Sequence, residues 1–245
     1  MKAMIFAAGL GTRLKPLTHT MPKAMIPVAG KPMLQHVVEK LKCEGFDEII
    51  INVHHFPEQI KNFVKENDSF GIRIKFSDET EELLETGGGI KKAQYFFDDG
   101  KPFLIHNVDI LSNISLRDFY QHHLNSTNIA TLLVSERQTQ RYFLFKENML
   151  NGWINKKTGE IKSPFSIQDA SQYRHLAFSG MHIISPDIFR YMDDFPARFS
   201  IVDFYLEVCE KENIGCFIPK DFRIVDVGKL DTLHEAEEFV KTLDV

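Results

Sequence analysis

The sequence predicts an α/β fold built on a doubly wound, mostly parallel β-sheet. Over residues 3–135, short apolar segments alternate with amphipathic ones in the order β-α-β-α-β-α-β-α-β. This alternation is typical of parallel strands joined by right-handed helical crossovers. Most of the apolar segments are continuous, as expected for strands buried on both faces. Ligands of such sheets bind beyond the carboxyl ends of the strands.

The elements of the first half follow from these patterns in chain order. The first strand is AMIFAA (3–8), an apolar run that stops at Gly9. A helix is predicted over 30–45, because Pro32 suits a first turn, one apolar stripe runs along it and Gly45 ends it. The elements that follow are a strand at 47–55, a helix at 57–67, a strand at 71–77, a helix at 89–97, a strand at 101–109, a helix at 116–125 and a strand at 129–135.

Residues beyond 135 show a different pattern, with short strands joined by polar turns. Asn151-Gly152 and Thr158-Gly159 are the turn signals of the region 142–162. We therefore predict one domain spanning 1–245 that carries a small inserted β subregion. The later elements are a strand at 175–185 with a central glycine, a helix at 200–212, strands at 214–218 and 222–228, and a closing helix at 231–243.

Composition narrows the class of protein. The 245 residues are 43% hydrophobic and 26% charged, which is ordinary for a globular domain with a sizeable core. A net charge of −5 and a pI near 6.1 argue against nucleic-acid partners. Three cysteines without a C-x-x-C pair suggest a reducing compartment. No signal-peptide core or membrane span is evident, so we expect a cytoplasmic protein; the oligomeric state is not indicated.

The segment AAGLGTRLKPLTHTMPKA (7–24) follows the first predicted strand and carries the strongest local signal. Gly9 and Gly11 allow the backbone to approach a ligand closely, and successive N–H groups in such a turn bind anions. Arg13 adds a guanidinium fork suited to phosphate, and Lys23 adds a mobile positive charge. A simple chain turn explains the glycines equally well, but the two cations favour a polyphosphate site.

Two familiar phosphate loops do not match this segment. No G-x-x-x-x-G-K-[ST] run is present, and Leu14 stands where a G-x-G-x-x-G motif requires its third glycine.

The motifs instead resemble a different family. AAGLGTRLKPLT, followed by PKAMIPVAGKPML, is similar to the signature of the sugar-1-phosphate nucleotidyltransferases. The likeness continues in LLETGGGI (83–90), IHNVD (105–109), FSGMHIISPDIF (178–189) and VDVGKLDTLHEAE (225–237). It covers nearly the whole chain and implies a Rossmann-like nucleotidyltransferase fold. Val108 and Lys229 depart from the family's N-G-D and D-x-G-T patterns.

This resemblance implies a reaction and a set of catalytic residues. A sugar 1-phosphate would attack the α-phosphate of a nucleoside triphosphate in line and release pyrophosphate. Asp109 and Asp226 correspond to the family's metal-binding aspartates and would hold Mg²⁺. Arg13 would neutralise the leaving phosphates, and Lys23 would hold the α-phosphate or the incoming sugar phosphate. The attacking oxygen is already ionised, so no general base is required.

Further positions are assigned to substrate binding on the same basis. The ETGGG segment (85–89) resembles the family's base-reading segment, although a helix start capped by Thr86 is the competing interpretation. Its form is closest to that of N-acetylmuramate-1-phosphate uridylyltransferases, which favours UTP. Gly180 and Asp226 are assigned to the sugar. The predicted nucleotide-binding residues are Ala8, Gly9, Gly11, Thr12, Arg13, Glu85, Gly88 and Asn107.

Other interpretations are weighed against this one. A guanylyl- or cytidylyltransferase acting on mannose, heptose or phosphocholine would share the same motifs, and a non-catalytic nucleotide-sugar sensor would share the fold. The pairs His54-His55 and His122-His123 lack the spacing of a zinc site. The acidic run ETEELLE (79–85) is expected to be a solvated surface, apart from Glu85.

Overall fold

A computed structural model describes residues 1–243. The strands are β1 (Lys2–Phe6), β2 (Pro27–Val28), β3 (Lys31–Pro32), β4 (Glu48–Val53), β5 (Arg73–Asp78), β6 (Phe103–Asn107), β7 (Ile110–Ser112), β8 (Ala130–Ser135), β9 (Arg141–Lys146), β10 (Met149–Asn155), β11 (Ile161–Lys162), β12 (Arg174–Ile184), β13 (Ile214–Phe217) and β14 (Ile224–Asp226). The helices are α1 (Met33–Cys43), α2 (Pro57–Glu66), α3 (Glu85–Lys92), α4 (Leu116–Leu124), α5 (Phe189–Met192), α6 (Ile201–Val208) and α7 (Thr232–Lys241). No helix in this described part of the chain combines the length and apolarity needed to cross a bilayer.

The chain divides into two compact units. The first contains Met1–Leu83, Ile105–Arg117 and the segment from Asp221 onward, and the second contains Leu84–Leu104 and Asp118–Lys220. The expectation of one domain over 1–245 stays a prediction.

The first unit is built on parallel strands. β4 pairs in parallel with β1 on one side and β5 on the other, so that Asn52 lies beside Phe6 and Ser77. The strand order is β6-β1-β4-β5. The central residues of β1 and β4 are fully buried, which is why their sequences read as continuous apolar runs.

A separate apolar cluster in the same unit holds the segments around this sheet. It comprises Leu14, Ile26, Val28, Met33, Leu111, Val225, Val227, Ala236 and Phe239. These side chains come from the loop after β1, from β2 and the residue before it, from α1 and β7, from β14 and the residue after it, and from α7. β7 and β14 form a small antiparallel sheet of their own, so the predicted strand at 222–228 is shorter than expected and does not join the main sheet. Pro32 immediately precedes α1 rather than lying in its first turn.

The second unit is largely antiparallel. Its strand order is β11-β10-β13-β8-β12, and β9 pairs with both β10 and β12. β13 and β8 run parallel. β10 is antiparallel to β9, β11 and β13, and β12 is antiparallel to β8 and β9. The predicted glycine-containing strand is β12, whose register with β8 shifts between Phe178 and His182; Gly180 lies in that bulge with a φ of 73°.

One turn prediction in this unit is confirmed and one is wrong. Gly159 has a φ of 75° in the turn between β10 and β11, as predicted. Asn151-Gly152 is not a turn, because both residues lie inside β10 next to a bulge. The hairpin between β9 and β10 turns instead at Glu147-Asn148, where both residues have positive φ. That backbone suits the twist of a two-residue hairpin, although glycine is absent.

Candidate active site

The loop after β1, here called the glycine loop (residues 7–14), is held at its start by a side chain of the neighbouring strand β4. The side-chain oxygen of Asn52 in β4 accepts hydrogen bonds from the N–H groups of Ala7 at 2.7 Å and Ala8 at 3.2 Å. Farther along, Leu14 donates its N–H to the Gly11 carbonyl at 2.9 Å. Leu14 is fully buried, so both ends of the loop are fixed.

Gly11 is required where the loop turns. Its φ is 62°, in the left-handed region that favours glycine. A Cβ at this position would lie 2.7 Å from the Thr18 methyl carbon and 3.1 Å from Cβ of Lys23. Thr18 is buried and donates its hydroxyl to the Gly11 carbonyl at 2.9 Å. The loop therefore packs closely against the segment that carries Lys23.

The middle of the glycine loop offers unused donors. Within residues 1–243, which the structure describes, the N–H groups of Gly9, Leu10 and Gly11 donate to no protein acceptor. Gly9 and Leu10 are exposed, as are Thr12 and Arg13, which begin a short 3₁₀ helix. Consecutive N–H groups of this kind, next to a guanidinium, form a favourable environment for phosphate oxygens.

Lys23 and Asp109 form an ion pair close to this loop. Lys23 Nζ donates to Asp109 Oδ2, and the two side chains are only 10% and 18% exposed. Asp109 follows β6, where Val108 donates its N–H to the Phe6 carbonyl at 3.1 Å. The end of β6 is thereby tied to the end of β1. The Val108 side chain is buried.

Asp226 reaches the same region from β14. It lies opposite Ile110 in the β7–β14 ladder, and the next residue, Val227, donates its N–H to the Asp109 carbonyl at 2.8 Å. A Cβ on Gly228 would lie 2.7 Å from Asp226 Oδ1 and 2.9 Å from Arg13 Nη2. Gly228 thus leaves room for the Asp226 carboxylate and the Arg13 guanidinium. Arg13, Lys23, Asp109 and Asp226, each predicted from sequence, gather in the first unit.

The two aspartates fit the ligand chemistry of Mg²⁺. This ion binds through one or two carboxylates together with waters and substrate phosphates. Lys23 contacts only one carboxylate oxygen of Asp109. A protein-only cage is not present: no group of three or more His, Cys, Asp or Glu residues within 1–243 is arranged to hold a metal. The rings of His54 and His55 instead bond backbone carbonyls.

Asn107 ends β6 and is half-buried. Its carbonyl accepts a hydrogen bond from Nδ1 of His106 at 2.8 Å. Burial lowers the pKa of His106 to about 4, so this ring is neutral near pH 7 and adds no charge to the site.

The predicted base-reading residues belong to the second unit. The ETGGG segment is the first part of α3, so the predicted helix at 89–97 begins earlier than expected and ends at Lys92. Glu85 is exposed and pairs with Arg198 at 3.0 Å. The N–H groups of Gly87 and Gly88 donate to the Phe199 carbonyl at 2.9 and 3.3 Å.

This packing gives the glycines of α3 a structural explanation. A Cβ on Gly87 would overlap the Phe199 ring, and one on Gly88 would overlap the Ala197 carbonyl. Thr86 does not cap the helix, because it lies inside α3; its hydroxyl accepts instead from the Ile201 N–H at 3.0 Å. The assignment of Glu85 and Gly88 to nucleotide binding, and of Gly180 to the sugar, stays a prediction.

Comparison with known families decides the relationship. A family model described as nucleotidyl transferase matches residues 2–242. The chain belongs to the nucleotidyl transferase family. The resemblance found in the motifs is therefore confirmed, as is the predicted class of fold.

Individual relatives of this nucleotidyl transferase differ in their named substrates. A UTP–glucose-1-phosphate uridylyltransferase of Synechocystis sp. is 29% identical over 96% of this chain, which spans 62% of that protein. An N-acetylmuramate alpha-1-phosphate uridylyltransferase of Caulobacter vibrioides is 30% identical over 76% of each sequence. The structure of HddC from Yersinia pseudotuberculosis complexed with GMP-PN has a TM-score of 0.75 and 25% identity, covering 98% of this chain and 99% of that one.

Two residues of the first unit went unnoticed in the sequence. Glu79 is only 1% exposed, so the expectation of a solvated surface over 79–85 is wrong at its first residue. Its carboxylate accepts a hydrogen bond from Nδ2 of Asn52 at 2.9 Å. A signal was available in Asn52, the one polar side chain inside the apolar run IIINV. A polar residue at such a position requires a buried partner.

Proposed function

We propose that the chain joins a nucleoside triphosphate to a sugar 1-phosphate, giving a nucleoside-diphosphate sugar and pyrophosphate. One observation carries the proposal. Two cations and two carboxylates, Arg13, Lys23, Asp109 and Asp226, converge in the unit whose glycine loop exposes unused N–H donors. Such an arrangement matches the needs of a reaction between two highly anionic substrates, in which positioning and charge neutralisation dominate catalysis.

Each residue has a defined task in this proposal. The N–H groups of the glycine loop and the Arg13 guanidinium bind the triphosphate and stabilise the charge that builds on the departing pyrophosphate. Lys23, which lies beside the carboxylate of Asp109, neutralises the α-phosphate or the incoming sugar phosphate. Mg²⁺, held by Asp109 and Asp226, would supply further charge neutralisation and fix the phosphate oxygens.

We propose UTP as the donor and N-acetylmuramate 1-phosphate as the acceptor. The support is the similarity to the Caulobacter vibrioides enzyme and the form of the ETGGG segment. A guanine nucleotide is the second candidate, because the HddC structure of similar fold holds GMP-PN.

The test is pyrophosphate release by the purified chain with UTP, GTP, CTP and ATP, each against a panel of sugar 1-phosphates, with and without Mg²⁺. Release with UTP and N-acetylmuramate 1-phosphate supports the full proposal. Release with GTP and another sugar phosphate retains the reaction and overturns the substrate assignment. Nucleotide binding without release from any pair would overturn catalysis and favour a nucleotide-sugar sensor.

A further inference from the structure

The strongest unexplained feature of the first unit is a buried polar pair beneath the glycine loop. Asn52 is 3% exposed and Glu79 is 1% exposed. Burial of an amide and a carboxylate is costly unless their hydrogen bonds are satisfied. Asn52 lies in β4 of the parallel sheet, and Glu79 is the residue directly after β5.

The hydrogen bonds fix the direction in which Asn52 points. Its oxygen accepts from Ala7 and Ala8, and its Nδ2 donates to Glu79. Because Glu79 Oε1 accepts from Nδ2, the Glu79 side chain selects the amide orientation that turns the Asn52 oxygen toward the loop. A reversed amide would set its NH₂ group against two N–H donors.

Glu79 is itself held by the end of β4. Its N–H donates to the Val53 carbonyl at 2.8 Å, and its carbonyl accepts from Nδ1 of His54 at 2.6 Å. The chain of contacts thus runs from the end of β4 through Glu79 and Asn52 to Ala7 and Ala8. These two residues begin the glycine loop, directly before Gly9.

We propose that Asn52 and Glu79 are positioning residues for the triphosphate. β1 ends at Phe6, and the next two N–H groups are bound by Asn52, so the chain is turned into the loop conformation before any ligand arrives. The N–H groups of Gly9, Leu10 and Gly11 are left for phosphate oxygens. The Ala8 N–H is already engaged, so it does not contribute to phosphate binding. The inference rests on the proposed function.

A charge-conserving swap tests the pair. In Asn52→Asp the loop keeps its acceptor, but two carboxylates face each other. The double variant Asn52→Asp, Glu79→Gln has the same net charge as the natural chain and restores a donor opposite an acceptor. Asn67→Asp, on an exposed asparagine at the end of α2, is the matched control for the added charge.

The measurements are calorimetric binding of UTP and of GTP with Mg²⁺, steady-state pyrophosphate release, and melting temperature. For Asn52→Asp we expect nucleotide affinity to fall about tenfold or more. The KM for nucleotide should rise more than kcat falls, with the KM for sugar phosphate unchanged. The double variant should return to within about threefold of the natural chain, and Asn67→Asp should stay within the same range.

The outcomes separate this inference from the function on which it rests. If the natural chain binds nucleotide and the double variant stays as weak as Asn52→Asp, the positioning role is overturned and the proposed function stands. The positioning role is also overturned, and the proposed function also stands, if the melting temperature of Asn52→Asp falls while its nucleotide affinity does not change. If the natural chain binds none of UTP, GTP, CTP or ATP, both proposals fail together.

Discussion

Lys23 and Asp109 are more buried than most oppositely charged pairs on a protein surface. Removing both charges from water costs several kcal/mol, and the attraction between them commonly returns only that cost. Lys23 also lies against Gly11, since its Cβ would be 3.1 Å from a Cβ at that glycine. The ion pair therefore adds little to the stability of the protein, and it holds a positive charge next to the glycine loop. This favours a role in catalysis over one in folding.

Replacement of Asp109 by Asn should abolish most turnover and leave the fold intact. The amide keeps the size of the side chain but removes the charge that orients Lys23 and would bind Mg²⁺. We expect kcat/KM for pyrophosphate release to fall about a hundredfold or more, by analogy with the loss of other electrostatic groups in active sites. Circular dichroism and the melting temperature check that the variant folds.

Asp203→Asn is the matched control for this change. Asp203 pairs with Lys162 at 2.9 Å, and both side chains are well exposed. Such pairs contribute about 0–1 kcal/mol to stability, so Asp203→Asn should fold normally. Because Asp203 belongs to the second unit and not to the group around Lys23, pyrophosphate release should not change. Near-normal turnover in Asp109→Asn would remove this residue from the catalytic group.

The sequence singles out Arg13 and Lys23 by their place in the glycine-containing segment, and Asp109 by its place at the end of a predicted strand. The structure brings these three residues together in the first unit, and their roles in binding and catalysis stay predictions. Glu79 carries no such signal, because a glutamate followed by further acidic residues has the appearance of a solvated surface. Its burial depends on where β5 ends relative to Asn52, which is a property of the sheet rather than of the local sequence.

At the scale of elements, α3 shows that a run of glycines in a sequence does not by itself distinguish a ligand-binding segment from a closely packed helix. Glycine weakens a helix, yet Gly87, Gly88 and Gly89 are consecutive and buried in α3. Two of them allow the 197–199 segment to approach the helix within hydrogen-bonding distance. The sequence offered only a base-reading segment or a helix start capped by Thr86, because contacts with a segment about a hundred residues away are not encoded in the local pattern.

Gly88→Ala should therefore destabilise the protein despite the better helix propensity of alanine. The added methyl would overlap the Ala197 carbonyl, which is backbone and cannot rotate away. Overpacking of this kind costs about 1–3 kcal/mol, more than the roughly 1 kcal/mol that alanine gains in a helix. Urea unfolding measures the difference. Gly9→Ala, where a Cβ meets nothing within 4 Å, is the stability control; equal stability of the two variants would contradict this packing explanation.

At the scale of the whole molecule, buried histidines link stability to pH. Burial lowers the pKa of His106 and His123 to about 4 and that of His182 to about 3, from an ordinary value of 6.5. His123 bonds the hydroxyls of Thr131 and Ser185, and His182 bonds that of Tyr205. These rings stay neutral in the folded chain while the unfolded chain takes up protons below pH 6.5. The free energy of unfolding is therefore unaffected by these histidines above pH 6.5, and it decreases as the pH falls from 6.5 toward 4.

We expect the free energy of unfolding to decrease on acidification from about pH 6.5 to 5, a range in which most carboxylates remain ionised. Each buried histidine contributes a slope of about 1.4 kcal/mol per pH unit once its unfolded form is protonated. Urea unfolding at fixed ionic strength, at about pH 7.5, 6 and 5, measures the total. His123→Gln should reduce the slope by one histidine's share, whereas His234→Gln, at an exposed position, should lower it less. A free energy of unfolding that is constant over this range would mean that the buried histidines are protonated in the folded chain, contrary to their burial.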